Sequence, residues 1–356
     1  MELALYCPLC GYYEQEADKL GRRGDYYTSV SVGSLFGELL AFQLDRWTQP
    51  MAATKVRWVE AGAHDGRLAL DILAWVRRQR PALLDRLEYW ILEPSPRRQR
   101  WQESTLRDVR SVLHWARAWT ELPAGLSGCI FSNELLDAFP VHRLGWDAAQ
   151  RTWFEWGVGL EADRFVWTRL PGLPEVGLQG CLPPPTAATQ PASAPGLNCL
   201  DLPAELLAVL PDGFTTEICP AAAVWWNHAA RALAQGRLLT LDYGFEADEF
   251  FRPERSQGTL RAYRQHQVAA DLLADPGEQD LTAHVNFSLL QRVGERAGLK
   301  TEAPVSQARF LTRIAESAFA SDAGFGEWTP ARLRQFRTLV HPEHLGRSFR
   351  VLVQTR

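Results

Sequence analysis

Val56-Arg57-Trp58-Val59-Glu60-Ala61-Gly62-Ala63-His64-Asp65-Gly66 and, further along, Leu87-Glu88-Tyr89-Trp90-Ile91-Leu92-Glu93 decide the fold. Each apolar run ends in a glutamate, and the first enters a glycine turn at once. From Arg67 onward, Leu68, Ile72, Leu73 and Val76 fall on one helical stripe, which Pro81 stops. Strand, glycine turn, helix and a second strand ending in an acid make the half-unit with which doubly wound α/β proteins hold an adenosine, the acid meeting its ribose hydroxyls.

The pattern continues outward as short apolar runs suited to buried parallel strands, at 111–115, 128–132 and 237–241, with a final strand at 349–353. Helices are expected from Pro96, over Leu35–Trp47, from Pro220 to Gln235 with Gly236 as its cap, and over Phe287–Ala297. Arg143–Trp146 and Arg151–Trp156 alternate around Asp147-Ala148-Ala149-Gln150 as in a hairpin. A stretch rich in proline and small residues, 171–203, reads as a long surface loop. The expected organisation is an N-terminal helical and aromatic lobe (1–50), the first half of a Rossmann-like α/β domain (51–145) and an insertion with the hairpin and proline-rich loop (146–219). The sheet then returns (220–244), a second insertion follows (245–285), and the domain is completed by 286–356.

The 356 residues suffice for one large domain or two unequal ones. With 38 basic against 42 acidic residues the formal net charge is -4, which argues against a nucleic-acid binder working through a broad basic surface. No basic-then-apolar leader opens the chain and no run is long enough to span a bilayer, so a cytoplasmic protein with no membrane partner is expected. Of the 6 cysteines only Cys7 and Cys10 have metal-ligand spacing, and nothing nearby completes a tetrahedral set, so no metal is assigned. The 14 tryptophans and the frequency of two-fold assemblies make a homodimer an expectation.

A dinucleotide fingerprint requires G-x-G-x-x-G, but counted from Gly62 its third and sixth positions are His64 and Arg67. A cofactor with ribose and adenine and no pyrophosphate fits better, and S-adenosylmethionine is the natural candidate. Gly62 then makes room for the cofactor, and Gly66 lets the loop enter its helix. Glu60 accepts from the methionine ammonium, and Glu93 accepts from both ribose hydroxyls. The helix after Ser34 brings Gly24–Ser29 beside this site, making Thr28 a cofactor-binding candidate and Tyr26 and Tyr27 candidate pocket walls.

Beyond the strand at 128–132 lie Asn133, Glu134 and Asp137, on the carboxyl side of the sheet, where such folds bind ligands. Two acids beside a cationic sulfonium suit a guanidinium or amine substrate; helix capping is the competing use for Asp137. Trp153 and Phe154 with Glu155 in the hairpin, Asp242 at a strand end and His284 in the second insertion are further substrate-binding candidates.

Taken in order, these segments resemble the MidA-like, or NDUFAF-type mitochondrial complex I assembly, S-adenosylmethionine-dependent methyltransferases. The resemblance rests on Gly11-Tyr12-Tyr13, Gly24-Asp25-Tyr26-Tyr27-Thr28-Ser29, Phe36-Gly37-Glu38, Glu60-x-Gly62, Glu93-Pro94-Ser95-Pro96 and Asn133-Glu134 through Asp137-Ala138-Phe139-Pro140-Val141. It continues through Leu241-Asp242-Tyr243-Gly244, Gly258-Thr259-Leu260-Arg261 and Asp280–Phe287, nearly end to end. It implies a class I methyltransferase with substrate-binding insertions and a protein substrate, since the mitochondrial member symmetrically dimethylates an arginine of a complex I subunit. The family usually has Gly-Pro-Gly-Arg-Gly where this chain has Gly62-Ala63-His64-Asp65-Gly66, and a final Asp-Phe where it has Asn286-Phe287. A methyltransferase-like assembly factor with weak or no turnover, and a small-molecule methyltransferase, stand as alternatives.

Overall fold

The computed structural model describes residues 1–15, 28–170, 202–264, 267–320, 324–343, 345–346 and 348–356. Tyr26, Tyr27 and nearly all of the proline-rich stretch lie outside them. Strands β1 (Val56–Ala61), β2 (Leu87–Leu92), β3 (Leu113–Ala116) and β4 (Leu126–Asn133) pair in parallel. Strands β5 (His142–Asp147), β6 (Thr152–Glu161), β7 (Arg164–Arg169) and β8 (Thr215–Ile218) form a separate antiparallel sheet, and β9 (Leu233–Phe245) returns beside β4. The main sheet runs β3-β2-β1-β4-β9, then the antiparallel strand Phe349–Thr355 and a short strand at Lys300–Thr301.

Alternating side chains explain how this sheet carries a core on each face. Val56, Trp58, Cys129 and Phe131 point to one face, under the helices Leu35–Thr48, Arg67–Gln79 and Gln307–Ala318. Val59, Ala61, Ile130 and Leu238 point to the other, under Pro220–Ala232 and Phe287–Arg296. The helix after β1 buries Leu68, Ile72, Leu73 and Val76, the stripe its periodicity sets. Each such side chain contributes about 1.5–3 kcal/mol by leaving water, and Ile72→Ala alone costs about 2–5 kcal/mol.

Two local expectations change. Gly236 does not cap a helix: the helix ends at Ala232, Leu233 already belongs to β9, and Gly236 pairs with Gly128 of β4 so closely that a Cβ would lie 1.8 Å from the Gly128 carbonyl oxygen. The described residues of 1–50 also divide between two cores. The helix Leu35–Thr48 belongs to the main core, whereas Leu5 and Tyr12 pack with Ala262 and Leu281 of the second insertion. That insertion carries a small antiparallel sheet built from Arg261–Arg264, Gln267–Val268 and Asp280–Thr282.

Candidate active site

Strand order reverses between β1 and β4, and the crevice beyond their carboxyl ends opens into a cavity of about 1490 Å³. Glu60, Gly62, Gly66's neighbour Arg67, Glu93, Asn133, Glu134 and Asp137 place both candidate sets around this one space, Gly66 excepted, whose backbone caps the following helix.

At the cofactor end the loop Gly62–Gly66 carries three left-handed residues, Gly62 (φ 72), His64 (φ 47) and Gly66 (φ 84). Gly62 is required twice over, by its φ and because a Cβ would meet Leu135 Cδ1 at 2.7 Å. His64 has a Cβ and so holds this conformation at a cost of about 1–2 kcal/mol. The loop is tied down by Gln102, whose Nε2 donates to the His64 carbonyl at 3.0 Å. Glu60, 2% exposed, accepts from Tyr89 Oη at 2.5 Å; burial raises its carboxyl to about 7.

Glu93 is held by the helix that follows it. Its Oε1 accepts from the Ser95 amide (2.9 Å) and Arg98 Nε (3.0 Å), and its Oε2 from Gln102 Nε2 (3.1 Å). A carboxylate has about four acceptor positions, so the chain leaves one, on Oε2. That suffices for one ribose hydroxyl; the expected double contact exceeds what remains. Thr28 also lines the cavity, closed into a turn with Ser31 by hydrogen bonds in both directions.

The acceptor end is different. Glu134 follows β4 in a left-handed conformation (φ 50), and its Oε1 accepts from the Ser29 amide (3.1 Å) and Asn133 Nδ2 (3.0 Å). Glu134 Oε2 and Asn133 Oδ1 are buried and without hydrogen-bond partners among the described residues. Burial raises the Glu134 carboxyl to about 8, helped by the charges of Asp242 and Asp280. Asp137, 5% exposed, is pushed well above the ordinary carboxylate range by burial and then by Asp242, Asp280 and Glu134. These acids are therefore poised to take up a cation, which would return them to their ionised form.

Several candidates sit behind this wall. Asp242 is fully buried and off the cavity: its Oδ2 accepts from the Leu135 (3.2 Å) and Leu136 (2.9 Å) amides, shaping the turn that presents Glu134 and Asp137. Glu155 meets His142 Nδ1 at 2.6 Å, and it is His142 that reaches the cavity. Trp153 packs against Trp146 in the core, and Phe154 lies under Arg169. His284 stacks on Phe245 at 4.5 Å, and burial lowers its imidazole to about 4. Trp153 is placed there because the hairpin folds the face carrying Trp146 and Trp153 onto the main core. Asp280, marked in the sequence only within the segment Asp280–Phe287, and Tyr6 and Tyr13, given no site role there, also line the cavity. Their only signal was membership of aromatic and acidic segments far apart in the chain.

Residues 39–305 match a family described as "Putative S-adenosyl-L-methionine-dependent methyltransferase". The chain belongs to this family. It is 27% identical, over 98% of its length and 78% of the relative's, to the Rattus norvegicus protein arginine methyltransferase NDUFAF7, mitochondrial. The Drosophila melanogaster homologue matches at 27% over 88% of this chain and 70% of its own. A superfamily member from Burkholderia thailandensis, solved with bound S-adenosyl-homocysteine, covers all of this chain and 86% of its own at 29% identity, with a TM-score of 0.78. The protein is thus an S-adenosylmethionine-dependent methyltransferase with a class I sheet, and the residues around Gly62 and Glu93 suit that cofactor. The expected cytoplasmic location does not stand, because these curated relatives are named mitochondrial. Among the described residues no helix is long and apolar enough to cross a membrane.

Proposed function

We propose that the protein transfers the methyl group to a guanidinium nitrogen of a protein arginine. The observation that carries this reading is the buried Glu134 Oε2, without a partner among the described residues, beside Asp137 in a cavity shared with the cofactor loop. Two carboxyls whose charged form burial disfavours ionise more readily against a cation, and guanidinium offers five N–H donors in a plane. The relative named a protein arginine methyltransferase supports the same acceptor.

S-adenosylmethionine supplies an electrophilic methyl group with sulfur as its leaving group. Glu134 and Asp137 orient the guanidinium and draw its charge toward the nitrogens that do not attack, so that the attacking nitrogen presents a lone pair. As the new N–C bond forms, that nitrogen sheds a proton to a carboxylate oxygen, for which the raised basicity of Glu134 is suited. Asp242 holds the turn in register, and alignment within the enclosed site supplies much of the acceleration. Glu60 takes the methionine ammonium, and Glu93 and Thr28 hold the ribose side.

Labelled S-adenosylmethionine, added with the protein to a lysate of cells lacking it, tests the proposal. Acid hydrolysis of the labelled product should give methylarginine; label confined to small molecules or to another amino acid overturns it.

A further inference from the structure

The second insertion places a third carboxylate in the acceptor site. Asp280 opens the strand Asp280–Thr282, is 5% exposed and lines the same cavity as Glu134 and Asp137. The insertion is tied to the Asp137 turn through the Ala283 amide, which donates to the Asp137 carbonyl at 2.8 Å.

Both acid-bearing segments are also held by residues from the start of the chain. Tyr13 Oη donates to Asp280 Oδ1 at 2.7 Å, and Tyr6 Oη donates to the carbonyl of Ala138, next to Asp137, at 2.9 Å. The two rings stack with centroids 5.6 Å apart, and both face the cavity. One residue on, Glu14 Oε2 accepts from Ser95 Oγ at 3.0 Å, so the segment reaches from the acceptor acids to the loop after Glu93. The stretch up to Gln15 thus spans both halves of the site.

We propose that Asp280 contacts the acceptor's guanidinium as a third carboxylate, and that Tyr13 is its positioning residue. The inference rests on the arginine reading. Three converging acids form a cage that a planar cation with five donors fills and that a neutral group of the same shape does not. The tyrosine faces add a surface attractive to that cation. The Tyr13 hydroxyl fixes which way the Asp280 carboxylate points, so its loss lowers discrimination by charge more than it lowers packing.

The test uses the full chain saturated with S-adenosyl-homocysteine and two probes, N-acetyl-arginine methylamide and its neutral citrulline counterpart, titrated by calorimetry. Wild type should prefer the arginine probe by about tenfold or more, the scale of a charged hydrogen bond. Asp280→Asn should remove about tenfold of that preference, and Tyr13→Phe about threefold, with S-adenosyl-homocysteine affinity held within about twofold in both. Asp280→Ser replaces the asparagine variant if the latter loses the cofactor product. An Asp280 variant that keeps the wild-type preference while Asp137→Asn loses it overturns the inference and leaves the arginine reading standing. Equal binding of both probes by wild type overturns both. A Tyr13→Phe protein that weakens the two probes equally overturns the positioning role.

Discussion

The two ends of the cavity are built from the same residue type, and Glu93 at one and Glu134 at the other are prepared in opposite ways. At the cofactor end the chain itself engages the acids: Glu93 accepts from Ser95, Arg98 and Gln102, and Glu60 accepts from Tyr89. At the acceptor end Glu134 keeps a buried oxygen without a partner among the described residues, and Asp137 is crowded by Asp242 and Asp280. A carboxylate that is already satisfied recognises by shape and leaves a defined gap for the ligand. One buried among its own kind costs free energy until a cation arrives. The difference teaches that specificity for the cofactor is set before binding, whereas charge complementarity at the acceptor end is completed by the substrate.

The comparison breaks most visibly in turnover. Asp137→Asn should lower methyl transfer by about a hundredfold in steady-state assays, the usual scale for a group acting in the transition state. Cofactor affinity should remain within about twofold; unchanged transfer would remove Asp137 from the acceptor site. At the other end, Glu93→Ala should weaken S-adenosylmethionine binding by more than about tenfold, and calorimetry reads this directly. Part of that loss comes from Arg98 and Gln102, which lose their anchor.

A smaller effect is expected in the pH dependence of stability. Folded Glu134 binds its proton up to about 8 and Asp242 up to about 7, whereas an exposed glutamate releases it near the ordinary value of 4.5. On these groups the folded protein holds more protons than the unfolded one between those values, which makes stability fall as pH rises toward about 8; His284, lowered to about 4, opposes the fall below the free imidazole value of 6.5 but is one group against several. Glu60, raised to about 7, acts in the same direction. Melting temperatures without ligand should decline across this window, and less steeply in Glu134→Gln. Parallel slopes for the two proteins would count against a buried proton on Glu134.

The smallest change is His64→Gly, which relieves a left-handed backbone and should raise stability by about 1 kcal/mol in denaturant unfolding. A destabilised variant would mean that the imidazole contributes more than its backbone costs.

The sheet and cofactor loop were legible in the sequence because local rules govern them. Apolar strands, a glycine turn and a strand-end acid lie within a few residues of one another, and their period shows which face is buried. The acceptor end was legible only in part. Asn133, Glu134 and Asp137 follow β4 and could be placed from it, but Asp280 meets Tyr13 across nearly the whole chain, and no periodicity links them. Trp153 and His284 show the converse: an aromatic hairpin and a histidine near the end of an insertion carry the composition of a pocket wall, yet packing against Trp146 and Phe245 takes them into the interior. Gly236 has the position of a helix cap in the sequence, while the close pairing of β9 with β4 at Gly128 is what requires it.

Glu134→Gln, assayed side by side for S-adenosylmethionine binding by calorimetry and for methyl transfer from the labelled cofactor, tests the division between the two ends most directly. The amide keeps an oxygen for the Ser29 and Asn133 donors and removes the charge. A dissociation constant within about twofold of wild type, with transfer reduced by about a hundredfold, is the predicted result. Unchanged transfer, or cofactor binding lost in the same proportion as transfer, would contradict it.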